Sequence, residues 1–199
     1  MNDEIIEIIE GHDPSSYFWI MPVKVIDMTK DTNDIDNVDE YRKLEISIEE
    51  ENIRAFLFPL LLKYFDDKLP ENIQRYDNYI FTYTDEVQTT FEWYLTYNYY
   101  TMQSIQDMIK EIKSIVELLK TDFNSTKLDY IKVNYDWILY LDGKVDPKSL
   151  PNDKYERIKL TENYKEAIIN FYNRFVNYME NMIEEGIRNG YNLISFMGP

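Results

Sequence analysis

The chain has 199 residues, with 37 Asp and Glu against 21 Lys and Arg for a formal charge of −16, a single histidine and no cysteine. The missing thiols exclude disulfide scaffolds, cysteine zinc sites and thiol catalysis. The charge argues against direct binding to nucleic acid, which needs clustered Lys and Arg, and against an anionic membrane surface. At 44% apolar and 16% aromatic, with 5 Gly and 7 Pro, the composition suits one domain over 1–199 with a core that needs no metal or cofactor.

In chain order, Ile5, Ile6, Ile8 and Ile9 supply the apolar positions of a short helix over 3–10, with Gly11 as its stop. The aromatic and β-branched run 17–26 predicts a strand, in which Pro22 marks an edge or a bulge. A polar Asp/Asn loop fills 27–40. Leu44, Ile46 and Ile48 alternate through 41–48, a half-buried strand. Ser47 and Glu50 have capping-box spacing and open a helix over about 49–65, with Ile53, Phe56, Leu57, Leu60, Leu61 and Tyr64 on one side and a kink at Pro59. After a loop over 66–78, the runs 79–83 and 91–100 read as two strands of a hairpin joined through 84–88. In the longer run Tyr94, Asn98 and Tyr100 fall on the less apolar face, and Trp93, Tyr97 and Tyr99 on the other.

Thr101 caps a helix over 102–122 whose stripe runs Ile105, Met108, Ile109, Ile112, Ile115, Val116, Leu119 and Phe123. The segment 128–141 is ambiguous between helix and strand; the β-branched and aromatic content of 131–141 and the Asp142-Gly143 turn signal favour a strand. A Pro-punctuated loop, 145–153, leads to a long helix from Glu162, behind Thr161, to Arg188. Asn189-Gly190 closes it before a last strand over 191–197. The expected fold is α+β: an antiparallel sheet packed by two long amphipathic helices as a single pair of layers.

The motifs that carry chemistry are missing. His12, the only histidine, reads as an exposed loop residue, so neither a histidine metal site nor a Ser-His-Asp triad can form. The Asp-rich loop fails the EF-hand pattern in both registers, with Ile35 or Val38 standing where an oxygen ligand is required. No phosphate-binding glycine loop and no nucleophile elbow occur. The N-terminus is acidic where a leader would be basic, and no apolar run is long enough to span a membrane; elimination gives a cytoplasmic address.

What stands out is a local excess of acid between Asp27 and Glu51. Asp31, Asp34, Asp36, Asp39 and Glu40 lie in its loop, and Tyr94 and Tyr100 offer aromatic area elsewhere. These seven residues are the expected contacts of a basic protein partner. The expectation is a non-catalytic binding protein of the immunity or antitoxin kind, inhibiting a basic protein such as a nuclease toxin. Three alternatives stand beside it: a nucleic-acid mimic occupying a basic groove, a carboxylate enzyme using a divalent cation, and a subunit of a larger complex. The oligomeric state does not follow from the sequence.

Overall fold

The structure, a computed structural model, describes residues 6–13, 17–30, 32, 34–65, 69–70, 73, 81–84, 87–89, 97–128 and 162–198. Its frame is an antiparallel sheet of six strands. Five run in the order β1 (Ile8–Glu10), β4 (Ile46–Glu49), β2 (Tyr17–Val25), β8 (Leu193–Met197) and β7 (Tyr97–Thr101), and β3 (Val38–Glu40) pairs with the far end of β2. The α+β expectation holds in this form. The last strand of the chain sits between β2 and β7, so the C-terminus is built into the middle of the sheet.

The pleat sorts the side chains. Phe18, Ile20, Ile46, Ile48, Ile8, Tyr100, Ile194 and Phe196 point into the main core, which they share with the helices. Met21, Val23, Val25, Leu193 and Tyr99 form a second cluster with Leu69 and Ile73. Strands with apolar residues on successive positions, such as Ile20-Met21-Pro22-Val23, are those a sheet covered on both faces requires.

Among the described residues the longest helices are α3 (Met102–Thr121) and α4 (Glu162–Arg188). Their three-and-four-spaced stripes meet: Ile105, Met108, Ile112 and Leu119 on one, Ile168, Phe171, Phe175 and Met179 on the other, all fully buried. Each such side chain contributes about 1.5–3 kcal/mol of burial. Thr101 caps α3 as expected, its hydroxyl accepting from the Ser104 N–H at 3.1 Å. α4 closes in a Schellman motif, with Tyr191 N–H donating to Gly186 O and Gly190 N–H to Ile187 O. Gly190 takes the left-handed position at φ +84°.

Several expectations are corrected. Residues 8–10 are a strand, not a helix: β-branched Ile8 and Ile9 pair opposite Ile48 and Ser47. Of the run 41–48 only the end is strand, β4, after a 3₁₀ turn Arg42–Leu44. Ser47 does not cap the helix that follows; it faces the other way, donating to Gly11 O and accepting from Asp13 N–H. That helix comprises α1 (Glu50–Asn52), a π-helical turn over Ile53–Leu57 and α2 (Phe58–Tyr64). Pro59 has no N–H to give, and the turn before it widens so that Phe58 N–H reaches Ile53 O.

Pro22 is neither at an edge nor at a bulge. Its carbonyl accepts from Tyr41 N–H, so its missing N–H faces the seam where β4, ending opposite Ile20, gives way to β3, starting opposite Val23. The expected hairpin is also rearranged: β5 (Phe81–Thr84) pairs with β6 (Val87–Thr89) in a sheet of their own, while β7 pairs with β8. Residues 131–141, read as a strand, lie outside the described residues.

Candidate partner-binding surface

Of the segment 27–40, expected as a polar loop, only Val38–Glu40 is strand; the described residues before it belong to the loop of a β2–β3 hairpin with a polar centre. Asn37 is 2% exposed and acts as its pin. Its carboxamide accepts from Asp27 N–H at 2.8 Å and donates to Asp27 O at 3.0 Å and to Lys30 O at 3.4 Å. Its backbone accepts from Ile26 N–H and donates to Asp34 O, each at 2.8 Å. A side chain with a donor and an acceptor on one plane closes a wide loop that no apolar group could close.

The acids hang on this frame. Asp27, at the base, accepts from the Thr29 hydroxyl at 2.7 Å and its N–H at 2.9 Å, and those bonds hold its carboxyl below the usual range. Asp34 caps the 3₁₀ turn Ile35–Asn37 by accepting from Asp36 N–H at 3.2 Å. Asp36 is exposed on that turn. Asp39 stands opposite Lys24 in the ladder and accepts from the Tyr191 hydroxyl at 3.1 Å. Burial first, then that bond, raise the Tyr191 phenol above its ordinary value. Tyr191 also stacks on Tyr41, with ring centroids 4.9 Å apart, which ties the hairpin to the end of α4. Glu40 pairs with Arg42 at 2.8 Å.

Of the seven expected contact residues, Asp34, Asp36, Asp39 and Glu40 thus come together on one hairpin, while Asp31 and Tyr94 lie outside the described residues. Tyr100 is not at the surface. It is 0% exposed, it donates to Leu61 O at 3.0 Å, and burial raises its phenol well above the ordinary value. Asn98, on the same face, is 2% exposed and donates to Phe196 O. The polar tips of both residues are satisfied by backbone carbonyls, so the face that looked wetter in the sequence is the core face. The tyrosine that does serve the hairpin is Tyr191. Its place just past the Asn189-Gly190 helix stop is the one sign of it in the sequence.

His12 is an exposed loop residue, as expected, and it also has partners. Its Nδ1 lies 2.9 Å from Oε1 of Glu45, whose side chain is 3% exposed, and its ring packs on Trp19 at 4.2 Å. Trp19 Nε1–H in turn donates to Asp13 O at 2.7 Å. These contacts clamp the chain after β1 onto the sheet. Among the described residues no group of three or more His, Asp or Glu side chains is placed to hold a metal ion, and no helix is long and apolar enough to cross a membrane. A crevice of about 300 Å³ runs between Ile6 and α4, lined by Asn170, Asn173, Arg174 and Asn177 over Ala167 and Phe171. The chain matches no protein-family model, no curated protein and no solved structure.

Proposed function

We propose that this protein is a non-catalytic, cytoplasmic binding protein that inhibits a basic protein partner, in the manner of an immunity protein or antitoxin facing a nuclease toxin. The observation that carries the reading is the pinned hairpin: Asp34 and Asp36 lie in its loop and Asp39 and Glu40 on its second strand, and Asn37 sets the loop's shape from inside. Acids held in place before the encounter lose little freedom on binding, and with a chain charge of −16 they steer a basic surface toward them. The two long helices form the layer behind the sheet that holds the hairpin.

A pull-down from native extract at low salt tests this. The wild type is expected to retain a stoichiometric basic protein that high salt releases, and the triple reversal Asp34→Lys, Asp36→Lys, Asp39→Lys is expected to lose it. Turnover of a small metabolite with added Mg²⁺ or Mn²⁺, and no retained partner, would replace this reading with that of a carboxylate enzyme.

A further inference from the structure

The crevice between Ile6 and α4 has a lining unlike the rest of the surface. Asn170, Asn173, Arg174 and Asn177 follow the three-and-four spacing that puts them on one face of the helix, over the buried Ala167 and Phe171. On α3 the solvated face is charged, with Lys110, Lys113, Glu117 and Lys120 exposed. Asparagine is a poorer helix former than lysine or glutamate, so three asparagines in eight residues do not serve the helix itself. Between Glu166 and Glu180, α4 carries one charged side chain, Arg174.

Arg174 is also placed differently from the other arginines whose side chains are described. Arg42 holds Glu40, and Arg188 holds Glu184 and Glu185. Arg174 has no carboxylate at ion-pair distance among the described residues. Its Nη2 donates instead to Ile8 O, on the edge strand β1, at 3.0 Å. Glu10, on the same strand, accepts at 3.2 Å from the Tyr178 hydroxyl, which also lies beside the guanidinium. In a chain of charge −16, this arginine is fixed by a backbone carbonyl next to three carboxamides that no described residue engages. A guanidinium has five N–H donors, and those that Ile8 O leaves over suit a carboxylate from outside.

We infer that this crevice binds an extended peptide segment with an acidic side chain at its middle, Asn170, Asn173 and Asn177 pairing with the segment's backbone and Arg174 with its carboxylate. A carboxamide offers a donor and an acceptor side by side, the complement of a peptide group. From Asn170 to Asn177 the helix rises about 10 Å, the length of about three residues of extended chain. Arg174 stands between the asparagines and not beyond them, so the carboxylate it meets belongs to a side chain within the segment and not to a C-terminus. The many acids elsewhere on the chain do not prevent this, because exposed charges more than about 8–10 Å away are largely screened at physiological salt. The site shares no residue with the acidic hairpin and does not rest on the reading given to it.

The test titrates two acetylated and amidated peptides, Ala-Ala-Glu-Ala-Ala and Ala-Ala-Gln-Ala-Ala, into the full chain at about 0.15 M salt. Binding is followed by the NMR signals of the asparagine side-chain amides and of Arg174 Nε–H. The Glu peptide is expected to shift the signals of Asn170, Asn173, Asn177 and Arg174, and to bind about fivefold more tightly than the Gln peptide. Asn173→Ala, which removes no contact to a described residue, should weaken both peptides by about threefold. Arg174→Gln, which can still donate to Ile8 O, should erase the preference for the Glu peptide. Equal affinity for the two peptides, a preference that survives Arg174→Gln, or unmoved signals from the three asparagines would overturn the inference. Free glutamate binding as tightly as the Glu peptide would make this a site for small carboxylates and overturn it too, as would no binding of either peptide at about 10 mM.

Discussion

The helix-covered core and the β2–β3 hairpin hold their shapes by opposite means. In the core, position follows from volume: Phe18, Ile20, Phe171, Phe175 and Phe196 are at most 1% exposed, and many interchangeable contacts share the work. In the hairpin, shape depends on one carboxamide, Asn37, and one phenol, Tyr191, with exposed acids around them. The difference teaches that damage to the two regions should separate. Core substitutions should lower stability throughout, whereas hairpin substitutions should loosen the binding surface while the sheet and helices persist.

Phe196→Ala should sharpen that contrast most. Phe196 is on β8, an interior strand paired on both sides, and packs edge-on against Tyr100 at 5.1 Å, so its loss should cost about 3–5 kcal/mol, read as a fall in Tm and in denaturant midpoint. Asn37→Ala comes next, at about 1–3 kcal/mol, because it removes the acceptor of the Asp27 N–H and a donor to the Asp27 and Lys30 carbonyls. Its mark should be fast amide exchange at Ile26 and Asn37 with the helix amides unchanged; equal loss of protection everywhere would break the comparison.

Alkali should act on both regions. The Tyr100 and Tyr191 phenols are held above the ordinary value of 10.0 in the folded state. Their contribution to stability is therefore intact below that pH and is lost as pH rises through the folded-state values. The slope is about 1.4 kcal/mol per pH unit for each fully linked group. Thermal melts above pH 10 should show the loss, and Tyr100→Phe should reduce it; no change in slope would contradict the burial assigned to Tyr100. The smallest effect is expected at Ser195, whose buried hydroxyl has no hydrogen-bond partner among the described residues. Ser195→Ala should be neutral or stabilising by up to about 1 kcal/mol in chemical denaturation.

Legibility from the sequence follows the same division. α3 and α4 were readable because one-sided burial forces a period of 3.6 over many turns, and the expected bounds agree with the structure to within a residue at each end. β2 and β8 were readable as strands, but not as neighbours, because alternation says nothing about which strand pairs with which. The helix expected over 3–10 failed because four isoleucines in five residues suit either period, and pairing with β4 decides the matter. Of the candidate surface, the acids were visible as a charge run. The pin was not, since Asn37 looks like any loop asparagine until its burial and partners are known. Nor was Tyr191, which reaches Asp39 from 152 residues away in the chain.

Hydrogen exchange of the unbound wild-type protein tests most directly whether the acids are fixed in place before any partner arrives. The amides of Ile26, Asn37 and Tyr41, which donate to Asn37 O, Asp34 O and Pro22 O, should be protected to the same order as those pairing β2 with β8. Exchange of these three at the rate of an unstructured chain would mean that the hairpin has no fixed shape, and the account of a preset acidic surface would be wrong.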